Sequence, residues 1–383
     1  MDPVVQLLRQ LVAIDSVNPS LVPGAAGEGE VAQTIADHLR AIGLEVELQE
    51  VVPGRPNVIG VLEGRASGPS LMFCGHIDTV GVEGMRSPFD PVERDGRLYG
   101  RGSQDMKSGV AAMIDAARVV AGEGLAAGRL IVACVVDEEY ASIGADALVS
   151  RWRADAAVVT EPTDMHIAIG HKGFAWFEIE TRGRAAHGSR PRDGRDAIMR
   201  MGRVLHALEQ LDRRLQARLE HPLLGMASLH ASIIEGGREL SSYPDRCTLK
   251  LERRTLPGET DAIVQNELES ILAALRRDDP EFEATLTPVF ARPAYELEPI
   301  HELPVRLDGV LSALAGGERN DALIGMSFWT DAAVLGAAGI PSVLFGPGGA
   351  GLHSTEEFVE IGDVLRCRDV LASLARDWCV ARR

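Results

Sequence analysis

The chain has 383 residues, 45% of them hydrophobic and 25% charged, which excludes a disordered protein and exceeds what one hydrophobic core usually supports, so two domains are expected. Lys and Arg total 39 against 56 Asp and Glu, a formal net charge of −17, and such a field excludes nucleic acid and anionic membrane surfaces as partners. The first residues carry no basic region followed by a long apolar run and no later stretch is long enough to span a bilayer, so a soluble, cytoplasmic protein is expected.

Leu7, Leu8, Leu11 and Val12 recur at helical spacing until Asp15-Ser-Val-Asn-Pro19 breaks the pattern. A second helix is predicted over residues 28–42, with Val31, Ile35, Leu39 and Ile42 on one face and Gly43 as its stop. Strands follow at 44–51, 57–62 and 70–75. The last of these is bulky and apolar, and it emerges at His76 and Asp78, at the kind of sheet edge where α/β proteins place their chemistry. On extended backbone the two side chains point the same way, so Asp78 is expected to orient the His76 imidazole while the other ring nitrogen faces a metal.

Beyond a polar loop, Gly100-Arg-Gly-Ser-Gln-Asp-Met-Lys-Ser-Gly109 frees the backbone around Asp105 before a helix predicted over 110–121. It lacks the spacing of a dinucleotide fingerprint or a P-loop. Leu130-Ile-Val-Ala-Cys-Val-Val136 is the most strand-like run and delivers Asp137-Glu-Glu139 to the same edge, where unpaired charge is costly unless a cation is near. Adjacent residues on extended backbone face opposite ways, so Glu138 and Glu139 are expected to divide the work, one binding metal and one moving protons. A short strand over 156–160 delivers Glu161-Pro162.

From Gly173 the pattern becomes strand, helix, strand, strand, helix, strand, at 174–181, 196–219, 227–234, 247–253, 260–275 and 282–288. That order reads as an inserted α+β sandwich. The chain then returns to the first domain with helices at 303–314 and 331–338, a strand at 342–345, the glycine-rich loop Gly346-Pro-Gly-Gly-Ala-Gly-Leu-His353, and a last helix over 364–378. Cys74, Cys134, Cys247, Cys367 and Cys379 are odd in number and widely spaced in apolar surroundings, which reads as buried thiols.

Taken together, His76, Asp105, Glu138, Glu139, Glu161 and His353 supply two imidazoles, several carboxylates and no thiolate. That donor set suits divalent zinc, cobalt or manganese. Charge balance favours two ions, because three ligand carboxylates and a hydroxide neutralise two dications.

The ordered set His-x-Asp, Gly-Arg-Gly-x-x-Asp-Met-Lys-x-Gly, Asp-Glu-Glu, Glu-Pro and a late His in a glycine-rich loop resembles the M20 metallopeptidase family. The likeness is specifically to its acetylornithine deacetylase, succinyl-diaminopimelate desuccinylase and aminoacylase branch, and it extends over nearly the whole chain. The resemblance implies an α/β, zinc-peptidase-like catalytic domain at residues 1–172 and 291–383, with a mixed twisted sheet and helices on both faces. Residues 173–290 would form an inserted α+β lid through which two chains pair as a homodimer. Asp105 would bridge two metal ions, His76 and Glu161 completing one and Glu139 and His353 the other. Glu138 would be the general acid/base, Asp78 the partner of His76, and a non-proline cis peptide would follow Asp105. His187, in Ala185-Ala-His-Gly-Ser189, would reach a neighbouring subunit's site and steady an oxyanion, and Arg254 would bind a substrate carboxylate. One departure is Ser241, where many relatives carry Asn, so substrate contacts at that turn do not carry over. The activity implied is hydrolysis of the amide bond of small N-acyl amino acids by a water activated between the ions. A dipeptidase or carboxypeptidase of the same family is the alternative, and a catalytically silent binding protein would require a ligand to be missing, which none is.

Overall fold

The computed structural model describes residues 2–316 and 322–381. The chain divides into two compact units, one comprising Met1–Ile169, Leu297–Ile324 and Thr330–Arg383, the other Gly170–Glu296 together with Gly325–Trp329.

The first unit is built on a mixed sheet whose strands lie in the order Glu45–Val52, Arg55–Glu63, Arg129–Val135, Ser70–His76, Ala156–Val159, Ser342–Leu344 and Ala168–His171. The first two form an antiparallel hairpin, and the second runs antiparallel to Arg129–Val135. The next four run parallel to one another. Parallel strands must be covered on both faces, which is why they read as continuous apolar runs: Leu71 to Cys74 and Leu130 to Val136 are fully buried. Parallel direction also has a positional consequence: every strand in that set ends at one edge, and the residues after it gather there.

Helices Pro3–Val12, Lys107–Glu123 and Ile361–Trp378 pack on one another, and Gly29–Ala41 packs on the hairpin strands and on Lys107–Glu123. The middle helix starts two residues after Asp105 and lies hard against the sheet. A Cβ at Gly109 would sit 2.0 Å from the Thr160 carbonyl oxygen, so only glycine permits that approach.

Several elements have no counterpart in the sequence reading. Ile143–Arg151 is a helix, and a separate four-stranded sheet joins Gly349–Ala350, Phe358–Glu360, Arg97–Tyr99 and Val92–Arg94. Strands of two or three residues are too short to establish a period, which explains why this sheet leaves no signal in the sequence.

In the second unit the antiparallel sheet has the order Ser228–Gly236, Arg246–Thr255, Gly173–Arg182, Glu283–Arg292. Helices Ala197–Gln216 and Asp261–Asp278 bury Met201, Val204, Leu208, Val264, Leu268 and Leu272 against Phe177, Ile179, Leu249 and Leu251. Along Arg246–Thr255 burial alternates residue by residue, with one face in the core and one outside. Gly325–Trp329 groups with this unit, whereas the sequence analysis places all of residues 291–383 in the first domain. The cause is long-range: Trp329 Nε1 donates to the Pro293 carbonyl at 3.0 Å, and its ring meets His171 and Phe174 edge-on. All five cysteines are free and buried.

Candidate active site

The shared edge of the parallel strands carries the acids and imidazoles. His76, the last residue of its strand, is 1% exposed, and its Nε2 lies 3.0 Å from Asp105 Oδ1. Its Nδ1 is 3.0 Å from the Asp78 backbone carbonyl and 3.5 Å from Asp78 Oδ1. A carbonyl accepts only, so Nδ1 carries a proton, and Nε2 is the nitrogen turned toward Asp105.

The sequence reading gave the orienting role to the Asp78 carboxylate; in the structure the closer contact is the carbonyl. The carboxylate has other work, because Oδ1 accepts the Glu138 backbone N–H and Oδ2 that of Glu139, both at 3.1 Å. Asn18 Nδ2 also donates to Oδ2 at 2.8 Å. Asp78 therefore fixes the turn on which both glutamates sit.

That turn also corrects an expectation. Glu138 and Glu139 follow the strand on a tight turn in which Asp137 has φ +69 and its carbonyl accepts the N–H groups of Tyr140, Ala141 and Ser142. The two side chains still diverge. Glu139 Oε2 is 3.1 Å from His353 Nε2, and Glu138 Oε2 is 3.9 Å from His76 Nε2. Beneath the turn, Arg55 donates to Asp137 at 2.8 Å and to both oxygens of Glu28 at 2.6 Å, all three residues being buried. Nothing in the local sequence signals this triad, because its members are distant in the chain.

Asp105 joins the two imidazoles. Its Oδ1 faces His76 and its Oδ2 lies 3.3 Å from His353 Nε2, and the peptide bond to Met106 is cis. His353 sits in the glycine-rich loop at φ +57 and is the most exposed member of the group, at 55%. Ligand atoms of His76, Asp105 and Glu139 all lie within 4.8 Å of one another, as do those of His76, Glu138 and Glu161.

The electrostatics describe a crowded anionic site. Burial raises the pKa of Glu138 and Glu161 well above the carboxylate range, and neighbouring negative charges add to it. Glu139 is pushed up to about 7 by burial and by the charge of Asp105. Burial also opposes charge on Asp105, but the His353 and His76 contacts outweigh it and hold the carboxyl well below its ordinary value. His353 rises to about 10 through Asp105 and Glu139. Glu139 Oε1 is buried without a hydrogen-bond partner. Four carboxylates beside two imidazoles, with an orphaned buried oxygen, form an oxygen- and nitrogen-donor set that fits divalent cations.

In the second unit, His187 Nδ1 contacts Ser189 Oγ at 2.8 Å on an exposed loop, and a single bridge links His187 to Ser242. Arg253 and Arg254 take opposite faces of their strand. Arg253 is fully buried against Glu259, whereas Arg254 donates through Nε to Glu252 at 2.7 Å and lies 5.6 Å from the Phe174 ring centroid, 32% exposed.

A family model described as Peptidase family M20/M25/M40 matches residues 72–377. An acetylornithine deacetylase from Myxococcus xanthus is 32% identical over 358 residues, covering 90% of this chain and 90% of that protein. An N-formyl-4-amino-5-aminomethyl-2-methylpyrimidine deformylase from Bacillus subtilis (strain 168) is 30% identical over 417 residues, covering 99% of this chain and 95% of that protein. Among solved structures, aminopeptidase PepT from Bacillus cereus ATCC 10987 superposes with a TM-score of 0.80 at 19% identity, covering 98% of each chain. The Bacillus subtilis YXEP protein, described as a dinuclear metal binding peptidase, superposes with a TM-score of 0.75 at 16% identity, covering 98% of this chain and 97% of that one.

Proposed function

The chain is a metal-dependent hydrolase belonging to peptidase family M20/M25/M40, and from that premise we propose that it cleaves the amide bond of a small N-acyl amino acid. The observation that carries this reading is the Asp105 carboxylate, one oxygen of which faces His76 while the other faces His353. A carboxylate with a nitrogen ligand opposite each oxygen is the arrangement a bridge between two ions requires.

In this reading His76 and Glu161 complete one ion site, Glu139 and His353 complete the other, and zinc, cobalt or manganese suits both. Ions held there supply polarisation of the amide carbonyl and a water of lowered pKa. Glu138 stands beside the ligands in the geometry, and the family resemblance supports its separate role: it takes the proton of the attacking water and hands it to the leaving amine. On the resemblance alone, Arg254 holds the substrate carboxylate and His187 steadies the oxyanion across a homodimer formed through the second unit. Light scattering tests the pairing, and a monomer at micromolar concentration would remove it.

A second reading, release of formate from an N-formyl amine, is favoured by the deformylase relative's 99% coverage of this chain. One panel separates the readings: N-acetyl, N-succinyl and N-formyl amines beside dipeptides, each with and without zinc or cobalt. Metal-dependent cleavage of an N-acyl amino acid is expected. A preference for dipeptides would make the chain a peptidase, and a preference for formyl amines a deformylase.

A further inference from the structure

Glu357 has no part in the reading above, yet its carboxylate is 1% exposed and every bond it makes leads into the site. Its Oε1 accepts the backbone N–H of Gln104 at 2.9 Å and of Asp105 at 3.1 Å, and its Oε2 accepts the N–H of Gly102 at 3.0 Å and Arg101 Nη1 at 2.6 Å. Arg101 Nη2 also donates to the Ser354 carbonyl at 2.9 Å, and the Gly100 N–H donates to the Glu357 carbonyl at 3.2 Å. The segment from Gly100 to Asp105 thus curls into a nest of N–H groups of the kind that holds an anion, and the anion is the chain's own carboxylate. The contact ties Asp105 to a residue 252 positions away, on the loop that carries His353. Those two loops present the facing atoms Asp105 Oδ2 and His353 Nε2.

We propose that Glu357, through its clip with Arg101, is a positioning residue for the dinuclear centre, fixing the Asp105 backbone against the His353 loop so that one carboxylate serves both ions. The proposal rests on the two-ion reading. A bridging carboxylate must be held to within about 0.5 Å, and its short side chain follows its backbone closely. His76 and Glu161 stand on strand ends that the clip does not touch, so the ion between Glu139 and His353 depends on it most.

The test uses the full chain, stripped of metal and titrated with buffered zinc, with stoichiometry from elemental analysis and the cobalt(II) absorption spectrum recorded in parallel. Glu357→Gln keeps the volume but sets an amide NH₂ against donors. It is expected to bind one ion as the wild type does and the second about 10–100-fold more weakly, the range for loss of a group that orients a ligand, with a changed cobalt spectrum. Two ions at wild-type affinity overturn the proposal, and so does equal weakening of both, which would mark general loosening. If Glu357→Gln does not fold by circular dichroism, Arg101→Lys, which keeps the charge and removes the fork, is held to the same outcomes. A wild-type chain that takes up fewer than two ions sinks the dinuclear reading and the proposal with it, whereas two ions bound at wild-type affinity in both proteins sink the proposal alone.

Discussion

At the scale of single residues, the site separates groups by the partners they keep. Glu138 Oε2 lies 3.9 Å from His76 Nε2, whereas Glu139 sits 3.1 Å from His353. Glu138→Gln should therefore lower kcat by about 10²–10⁴-fold, the usual worth of a general acid/base. Metal content by elemental analysis should stay at the wild-type level; a parallel loss of metal would make Glu138 a ligand instead. His171, in the second unit, carries a different prediction. Burial lowers its pKa to about 4, its Nδ1–H donates to the Lys172 carbonyl at 2.9 Å, and its Nε2 is buried without a hydrogen-bond partner. Unfolded, it titrates near 6.5. Its contribution to stability is full above about pH 6.5 and is lost as pH falls toward 4, because the unfolded chain then binds a proton that the folded chain refuses. Denaturant unfolding at pH 7.5 and pH 5 should show a smaller pH dependence in His171→Phe than in wild type, and equal slopes would remove His171 from the account.

At the scale of elements, the helix Lys107–Glu123 sets where Asp105 begins. Its approach to the sheet rests on Gly109, whose added Cβ would meet the Thr160 carbonyl oxygen at 2.0 Å, one residue past the strand Ala156–Val159 and held there by the Thr160 N–H bond to the Cys74 carbonyl at 2.9 Å. Gly109→Ala should cost on the order of 1–3 kcal/mol, as overpacking does, and should displace the start of the helix. Thermal melting read together with zinc affinity checks this, and an unchanged melt would mean that the helix shifts freely. The turn after Arg129–Val135 shows a second kind of element-scale control. Its two glutamates diverge because Asp78 grips both backbone N–H groups, not because they alternate along a strand.

For the whole molecule, the excess of acid has a local meaning. Within a net charge of −17, four carboxylates converge beside two imidazoles at one sheet edge, and bound cations offset their mutual repulsion. Chelation should lower the melting temperature, and restoring zinc should recover it. Each ion contributes about 2.7 kcal/mol when free metal is near 100 times its dissociation constant. Calorimetry with and without a chelator measures the shift, and coincident melts would argue that the acids are stable unfilled.

Much of this was legible from local pattern. Unbroken apolar runs of strand length declare the buried parallel strands, and because such strands end together, His76, Glu138, Glu139 and Glu161 group together from the sequence alone. Arg254 is singled out by the family resemblance, and the burial along Arg246–Thr255 is what separates it from Arg253. Tertiary structure alone decided the supports: the Glu28–Arg55–Asp137 triad, the Asp78 grip on the turn, the Glu357 clip and the place of Trp329. Each joins groups far apart in the chain through one or a few hydrogen bonds. Such bonds impose no period on the residues around them, so the order of amino acids records the members but not their meeting.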